Sequence, residues 1–203
     1  MRVVIYNNNP METNCYVLET DDVAIVIDPC YSYDLLPNKI KDKLQAVFIT
    51  HGHFDHFTFL ETYKNKKLTF YMSEKCYYKL SNSLRNCSSL GYSPLEVSIN
   101  DEKVVFVKDG DIVKVSDINV KCFETLGHSN CSISYLIDGK LFCGDFIFKG
   151  SIGRTDLITG NQENMQKSIK RFKTFDENYV IYPGHGDATT LLEEKDNNYY
   201  FKN

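Results

Sequence analysis

The five histidines of this 203-residue chain fall into three short patterns, each placed directly after an apolar, β-branched stretch. Thr50-His51-Gly52-His53-Phe54-Asp55-His56 follows a predicted strand at 46–50. Gly127-His128-Ser129 follows one at 119–125, and Pro183-Gly184-His185-Gly186 follows one at 179–182. Gly144-Asp145 closes a further strand at 140–143. Three imidazoles and a carboxylate crowded behind an apolar strand are costly to gather without a cation. Strands sharing one direction bring all four ends to one rim, where open α/β sheets place their ligands. The rim then holds five imidazoles and two carboxylates, Asp55 and Asp145. That exceeds what one tetrahedral ion takes, and it suits two cations about 3.5–4 Å apart. Taken singly, His128 or His185 reads as an ordinary hydrogen-bonded strand-end histidine; their company argues for ligation. Cys143 alternates away from Asp145 along its strand and is expected to pack inside.

The remaining pattern supplies a scaffold for such a rim. Strands are expected at 2–6, 15–19 and 23–28, with Asp21-Asp22 as a turn and Asp28-Pro29 as a stop. Leu36, Ile40 and Leu44 recur at helical spacing. After the strand at 46–50 come a short helix carrying Leu60 and Tyr63, and a strand at 68–72. Ser73 caps a helix with Tyr77, Leu80 and Leu84 on one face. Residues 82–100 read as a loop. The second half repeats the rhythm with strands at 103–107, 111–115, 119–125, 131–137 and 140–143, Asp138-Gly139 being a tight turn. Thr159-x-x-Gln162 reads as a capping box for a helix carrying Met165, Ile169 and Phe172. A strand at 179–182 and a helix with Leu191 and Leu192 finish the chain. Strands first and helices interleaved, twice over, predict an α/β fold: an αββα sandwich of two mixed β-sheets with outer helices. The absence of a linker predicts a single domain over 1–203.

Composition removes several function classes. Lys and Arg total 23 against 27 Asp and Glu, a net charge of −4, with no basic cluster for a phosphate backbone. No nucleic-acid partner, membrane association or obligate protein partner is therefore expected. Apolar runs stop after about five residues, far short of the roughly 20 a bilayer requires. Seven scattered cysteines without a C-x-x-C read as reduced thiols, and with no leader sequence evident the expected location is cytoplasmic.

These motifs together resemble the metallo-β-lactamase-fold hydrolases, over nearly the whole chain. Within them the chain looks most like the hydroxyacylglutathione hydrolases (glyoxalase II) and their short relatives. Asn14-Cys15-Tyr16-Val17, Ile27-Asp28-Pro29 and Ser151-Ile152-Gly153-Arg154-Thr155-Asp156 carry that narrower likeness. The resemblance implies that His51, His53 and His128 hold one metal and that Asp55, His56 and His185 hold a second. Asp145 and a hydroxide would bridge them, with Asp55 and Asp145 as the catalytic carboxylates. It implies two divalent ions, zinc first, with iron or manganese as alternatives. Two departures stand out: Leu126 precedes Gly127 where relatives commonly carry proline, and no C-terminal helical glutathione-binding domain follows His185.

The histidine count constrains the leaving group. With five imidazoles as ligands none remains as a general acid, so a thiolate, whose conjugate thiol has a pKa of about 8.5, leaves most readily. The expected substrate is a small-molecule thioester such as S-lactoylglutathione, its acyl carbonyl attacked by the bridging hydroxide. Arg154, a fork-shaped donor beyond Asp145, is a substrate-binding candidate, with an ion pair to Asp156 as the competing reading. The main alternative is a mononuclear iron persulfide dioxygenase using His51, His128 and Asp145. A metallo-hydrolase of another activated acyl group, a β-lactamase, a nuclease-type relative and a catalytically idle metal-keeping module complete the alternatives.

Overall fold

A computed structural model describes residues 1–91 and 93–202. The first sheet is β1 (Arg2–Tyr6), β2 (Cys15–Glu19), β3 (Ala24–Ile27), β4 (Leu44–Phe48), β5 (Thr69–Met72) and β6 (Val104–Phe106), side by side in chain order. The first three strands are antiparallel, whereas β3 to β6 run parallel. The second sheet contains β7 (Ile112–Val115), β8 (Ile118–Glu124), β9 (Ile133–Ile137), β10 (Lys140–Gly144), β13 (Val180–Pro183) and β14 (Thr189–Thr190). Between β10 and β13 a two-stranded hairpin, β11 (Ile147–Phe148) and β12 (Ser151–Ile152), projects from the sheet. Helices α1 (Asn38–Lys41) and α2 (Glu74–Leu80) belong to the first half. Helices α3 (Gln162–Lys173), α4 (Leu191–Asn197) and α5 (Tyr199–Lys202) belong to the second.

Alternation along the strands builds the layers. Tyr16, Leu18, Ile25, Ile27 and Phe48 face Val120, Cys122, Tyr135 and Phe142 in the core between the sheets. Their neighbours Cys15, Val17, Val26 and Val47 face outward against Ile40, Cys76 and Leu80. On the far side Phe123, Leu141, Cys143 and Ile181 pack under Met165, Ile169 and Phe172 of α3. The αββα sandwich is thus realised, and Cys143 is buried in its outer layer.

The strand directions meet the condition for a common rim. β8 and β10 are each antiparallel to β9 and therefore parallel to one another, and β10 is parallel to β13. The ends of β8, β10 and β13 consequently gather at the edge where β3 and β4 also end. At that edge Ile133 N–H donates to Thr50 O at 2.8 Å, joining the two sheets beside the site.

Local expectations differ in three places. Leu44 opens β4 rather than ending a helix, because α1 stops at Lys41 and Leu44 pairs with Ala24. Leu84 lies beyond α2, which ends at Leu80. The cap of α3 is Asn161, whose side chain accepts the Asn164 N–H at 2.8 Å; the Thr159 hydroxyl is occupied by Lys79 instead. The loop reading of 82–100 holds for 82–91 and 93–100, Tyr92 lying outside the described residues, with Asn86, Cys87 and Ser88 buried and Asn86 O accepting the Phe54 N–H at 2.9 Å.

Candidate metal centre

All seven donors expected from the sequence converge at the rim in three overlapping groups. His51, His53 and His128 form one, Asp55, His56 and His185 another, and His51, His56 and Asp145 a third that joins them. In the first, His53 Nδ1 lies 3.2 Å from His51 Nε2 and 2.7 Å from His128 Nε2. In the second, Asp55 Oδ2 lies 3.2 Å from His185 Nε2 and 3.5 Å from His56 Nε2. Asp145 spans the two: Oδ1 is 3.2 Å from His56 Nε2, and Oδ2 is 3.4 Å from His128 Nε2 and 3.7 Å from His185 Nε2.

Four of the five imidazoles are aimed from behind. His56 Nδ1 bonds Asp28 Oδ2 at 2.8 Å, His128 Nδ1 donates to Arg154 O at 2.8 Å, and His185 Nδ1 donates to Met11 O at 3.1 Å. His51 Nδ1 sits 3.1 Å from Thr50 Oγ1. Occupying Nδ1 with an oxygen partner fixes the tautomer and turns Nε2 to the centre, the usual outer support of metal-ligating histidines. His53 is reversed and presents Nδ1. Thr13 Oγ1 donates to Asp55 Oδ2 at 3.0 Å and fixes that carboxylate.

Sequence reasoning quoted Asp28, Asn14 and Tyr16 only as markers, and the structure gives each a task. Asp28, buried at φ +54°, accepts the Thr50 N–H and hydroxyl, both at 2.7 Å, in addition to serving His56. Asn14 Nδ2 donates to Pro183 O at 3.1 Å and Gly186 O at 3.0 Å, and Tyr16 Oη donates to Pro183 O at 2.5 Å. Together they clamp the turn that carries His185. The Asp-Pro stop after β3 was the one sequence signal available for Asp28. The Arg154 guanidinium grips Asp156 through two 2.7 Å bonds and is exposed, while its backbone carbonyl supports His128. Two glycines are forced by space. A Cβ at Gly184 would stand 2.2 Å from Asp145 Oδ1, and one at Gly144, where φ is +51°, would stand 2.4 Å from Thr50 Oγ1.

The electrostatics calls for positive charge. Burial opposes charging His56, yet the carboxylates of Asp55, Asp145 and Asp28 outweigh it and lift this imidazole well above its ordinary value. His185 rises likewise, burial being overcome by Asp55 and Asp145. Burial, with the neighbouring imidazoles, drives His51 and His53 well down, which keeps them neutral. Asp145 is held far below the carboxylate range: its burial is outweighed by His56 and His128. Asp55 is lowered against its own burial by His56 and His185. His53 Nε2, His56 Nε2 and Asp145 Oδ1 are buried without a hydrogen-bond partner among the described residues. Orphaned buried donors and acceptors are rare, and here His56 Nε2 and Asp145 Oδ1 face each other in the centre of the cluster. Neutral imidazoles together with ionised carboxylates form the donor set that divalent first-row metals take, and the site fits them.

The family model described as metallo-beta-lactamase superfamily matches residues 8–185. The probable metallo-hydrolase YqgX of Bacillus subtilis (strain 168) is 33% identical over 196 residues, which is 93% of this chain and 92% of that protein. The hydroxyacylglutathione hydrolase GloC of Haemophilus influenzae is 27% identical, over 98% of this chain and 97% of its own. Among solved structures, the BLEG-1 B3 metallo-beta-lactamase superposes with a TM-score of 0.90 at 28% identity, covering both chains completely.

Proposed function

The chain belongs to the metallo-beta-lactamase superfamily, and on that premise we propose that it is a dinuclear metallo-hydrolase of thioesters, with S-lactoylglutathione as its leading substrate. One observation carries the choice of leaving group: every imidazole in the chain is drawn into the donor cluster. The nearest buried amine, Lys79, is turned away onto the hydroxyls of Ser129 and Thr159. A leaving group that needs no proton, a thiolate, matches such a site better than an amine or alkoxide.

His51, His53 and His128 would hold one cation and Asp55, His56 and His185 the other, with Asp145 shared between them. Bound there, two divalent ions, zinc in the first instance and iron or manganese as alternatives, supply Lewis-acid polarisation of an acyl carbonyl and a nucleophile at neutral pH. The residues do the rest. Asp55 Oδ2, fixed by Thr13 and kept ionised, orients the attacking water and receives its proton. Asp145, pinned against Gly184 and Gly153, keeps the two donor sets at one separation. His51 and His56 are fully buried, which strengthens each of these interactions. Arg154, exposed at the rim, would draw in an anionic end of the substrate by exchanging Asp156 for it.

The test is metal content per chain together with free-thiol release from S-lactoylglutathione. Two metals per chain and thiol release abolished by Asp145→Ala are the expected results. One iron per chain with oxygen uptake on a persulfide would defeat the proposal. A second reading, β-lactam hydrolysis, is favoured by the full-length likeness to BLEG-1. A chromogenic cephalosporin cleaved faster than the thioester would select it.

A further inference from the structure

Behind the first donor set lies a polar pocket that the hydrolytic reading leaves unused. Cys131, between the His128 loop and β9, packs in the same buried cluster as Cys76 of α2. Cys131 Sγ accepts the Gly52 N–H at 3.4 Å and lies 3.0 Å from Ser129 Oγ. Ser129 Oγ in turn receives Lys79 Nζ at 2.7 Å, and the same ammonium donates to Thr159 Oγ1 at 2.6 Å. Lys79 is buried, and among the described residues its hydrogen-bond partners are these hydroxyls, with no carboxylate in ion-pair range. A buried ammonium calls for a counter-anion, and the sulfur one hydroxyl away, surrounded by donors, can supply it.

We propose that Cys131 and Cys76 form a hydroperoxide-reactive thiol pair, with Cys131 as the attacking thiolate, Lys79 as its counter-ion and Cys76 as the resolving thiol. The two sulfurs are driven in opposite directions. Burial opposes ionisation of Cys131, but the neighbouring Cys76 thiol, the charge of Lys79 and hydrogen bonds from Ser129 and Gly52 bring it down to about 6. Burial and the adjacent Cys131 push Cys76 well up. Burial likewise pushes up Cys30, Cys87, Cys122 and Cys143. A surface cleft of about 340 Å³, bordered by Ser73, Asn130 and Ser132, has Cys131, itself only 1% exposed, in its lining and none of the seven donors.

The chemistry balances with a hydroperoxide as oxidant. The Cys131 thiolate attacks the distal peroxide oxygen; an S–O bond forms, the O–O bond breaks, and the alkoxide or hydroxide that leaves takes a proton from solvent. The Cys76 sulfur then attacks the sulfenic sulfur and loses its proton, releasing water as the disulfide closes. Two electrons pass from the two sulfurs to the peroxide.

The zinc-loaded full-length protein is treated with one equivalent of hydrogen peroxide, quenched in denaturant with N-ethylmaleimide, and mapped by peptide mass spectrometry. The expected product is a Cys76–Cys131 disulfide that dithiothreitol reverses. In Cys76→Ser, dimedone should tag Cys131. Lys79→Met should slow the oxidation of Cys131 at pH 7 by about tenfold or more, as its thiolate fraction falls. Oxidation appearing first at Cys87 or between Cys15 and Cys30, or dimedone tagging Cys76 in Cys131→Ser at the wild-type rate, would overturn the proposal. Mapping on the unaltered chain decides it even where a variant folds poorly.

Discussion

His56 Nδ1 sits 2.8 Å from Asp28 Oδ2, and Asp28 reaches it from a left-handed backbone at φ +54°. Non-glycine residues seldom occupy that region, asparagine and aspartate being the usual exceptions. Asp28 also receives the N–H and hydroxyl of Thr50, so one buried carboxylate orients both the residue before His51 and the ring of His56.

Asp28→Asn keeps the permitted backbone and nearly the same shape but loses one carboxylate acceptor. We expect metal retention to weaken by about 10–100-fold, the usual cost of removing such a support. Competition against a graded chelator measures it, with an unchanged far-UV circular dichroism spectrum showing that the fold is intact. Full retention would remove Asp28 from the site.

Gly184→Ala drives a methyl into Asp145 Oδ1 and into His56 Cε1, at 2.2 and 2.6 Å before relaxation. Overpacking of this kind costs about 1–3 kcal/mol. At about 2–4 °C per kcal/mol for a chain of this length, the metal-free protein should melt roughly 2–12 °C lower. Metal stoichiometry by emission spectroscopy should fall together with the melting temperature.

The pH dependence has a definite sign. His56 and His185 are raised in the folded protein, so their contribution is fully present below about pH 6.5, the unfolded value, and is lost as pH climbs through their folded values. A metal must displace those same protons. The metal-free protein therefore loses this support on the alkaline side, where the cation meets less competition. His51 and His53 are neutral throughout and offer no proton to displace. The rise in melting temperature on adding zinc should be larger at pH 8.5 than at pH 6.5. Equal rises at the two values would contradict the assignment of the raised histidines.

Glu194 on α4 is buried and receives Thr189 Oγ1 at 2.6 Å, Asn198 Nδ2 at 2.7 Å and the Gly150 N–H at 2.9 Å. Asn198 also bonds Ser151 O at 2.9 Å, so the C-terminal helices hold the β11–β12 hairpin that follows Asp145. Glu194→Ala strands these donors, at about 1–3 kcal/mol for each left unsatisfied. Thermal denaturation should show a fall of roughly 5 °C or more at about 2–4 °C per kcal/mol. Hydrogen exchange should quicken in residues 147–152 ahead of the sheets.

The donors were legible because they are rare residue types clustered at strand ends, and their chemistry survives any detail of packing. The sandwich was legible from the order of strands and helices, but β2 and β10 are apolar on both faces, so which of their side chains lie between the sheets was not. What escaped notice depends on tertiary partners. Thr159 and Asn161 are equally good caps by type, and only the buried Lys79 shows why Thr159 is otherwise engaged. The work of Asp28 rests on a positive φ that no spacing rule reveals. Arg154 turned out to be paired with Asp156, its nearest acid along the chain, while its carbonyl rather than its guanidinium serves His128.

The clamp of Asn14 and Tyr16 on Pro183 joins positions separated by 169 and 167 residues. Such a closure carries a large entropic cost until the intervening sheets have formed. Asp55 and His56 must therefore wait for His185, far along the chain, before their donor set is whole. During synthesis the Asp55 donor set stays open until the turn after β13 has emerged and docked on Asn14 and Tyr16.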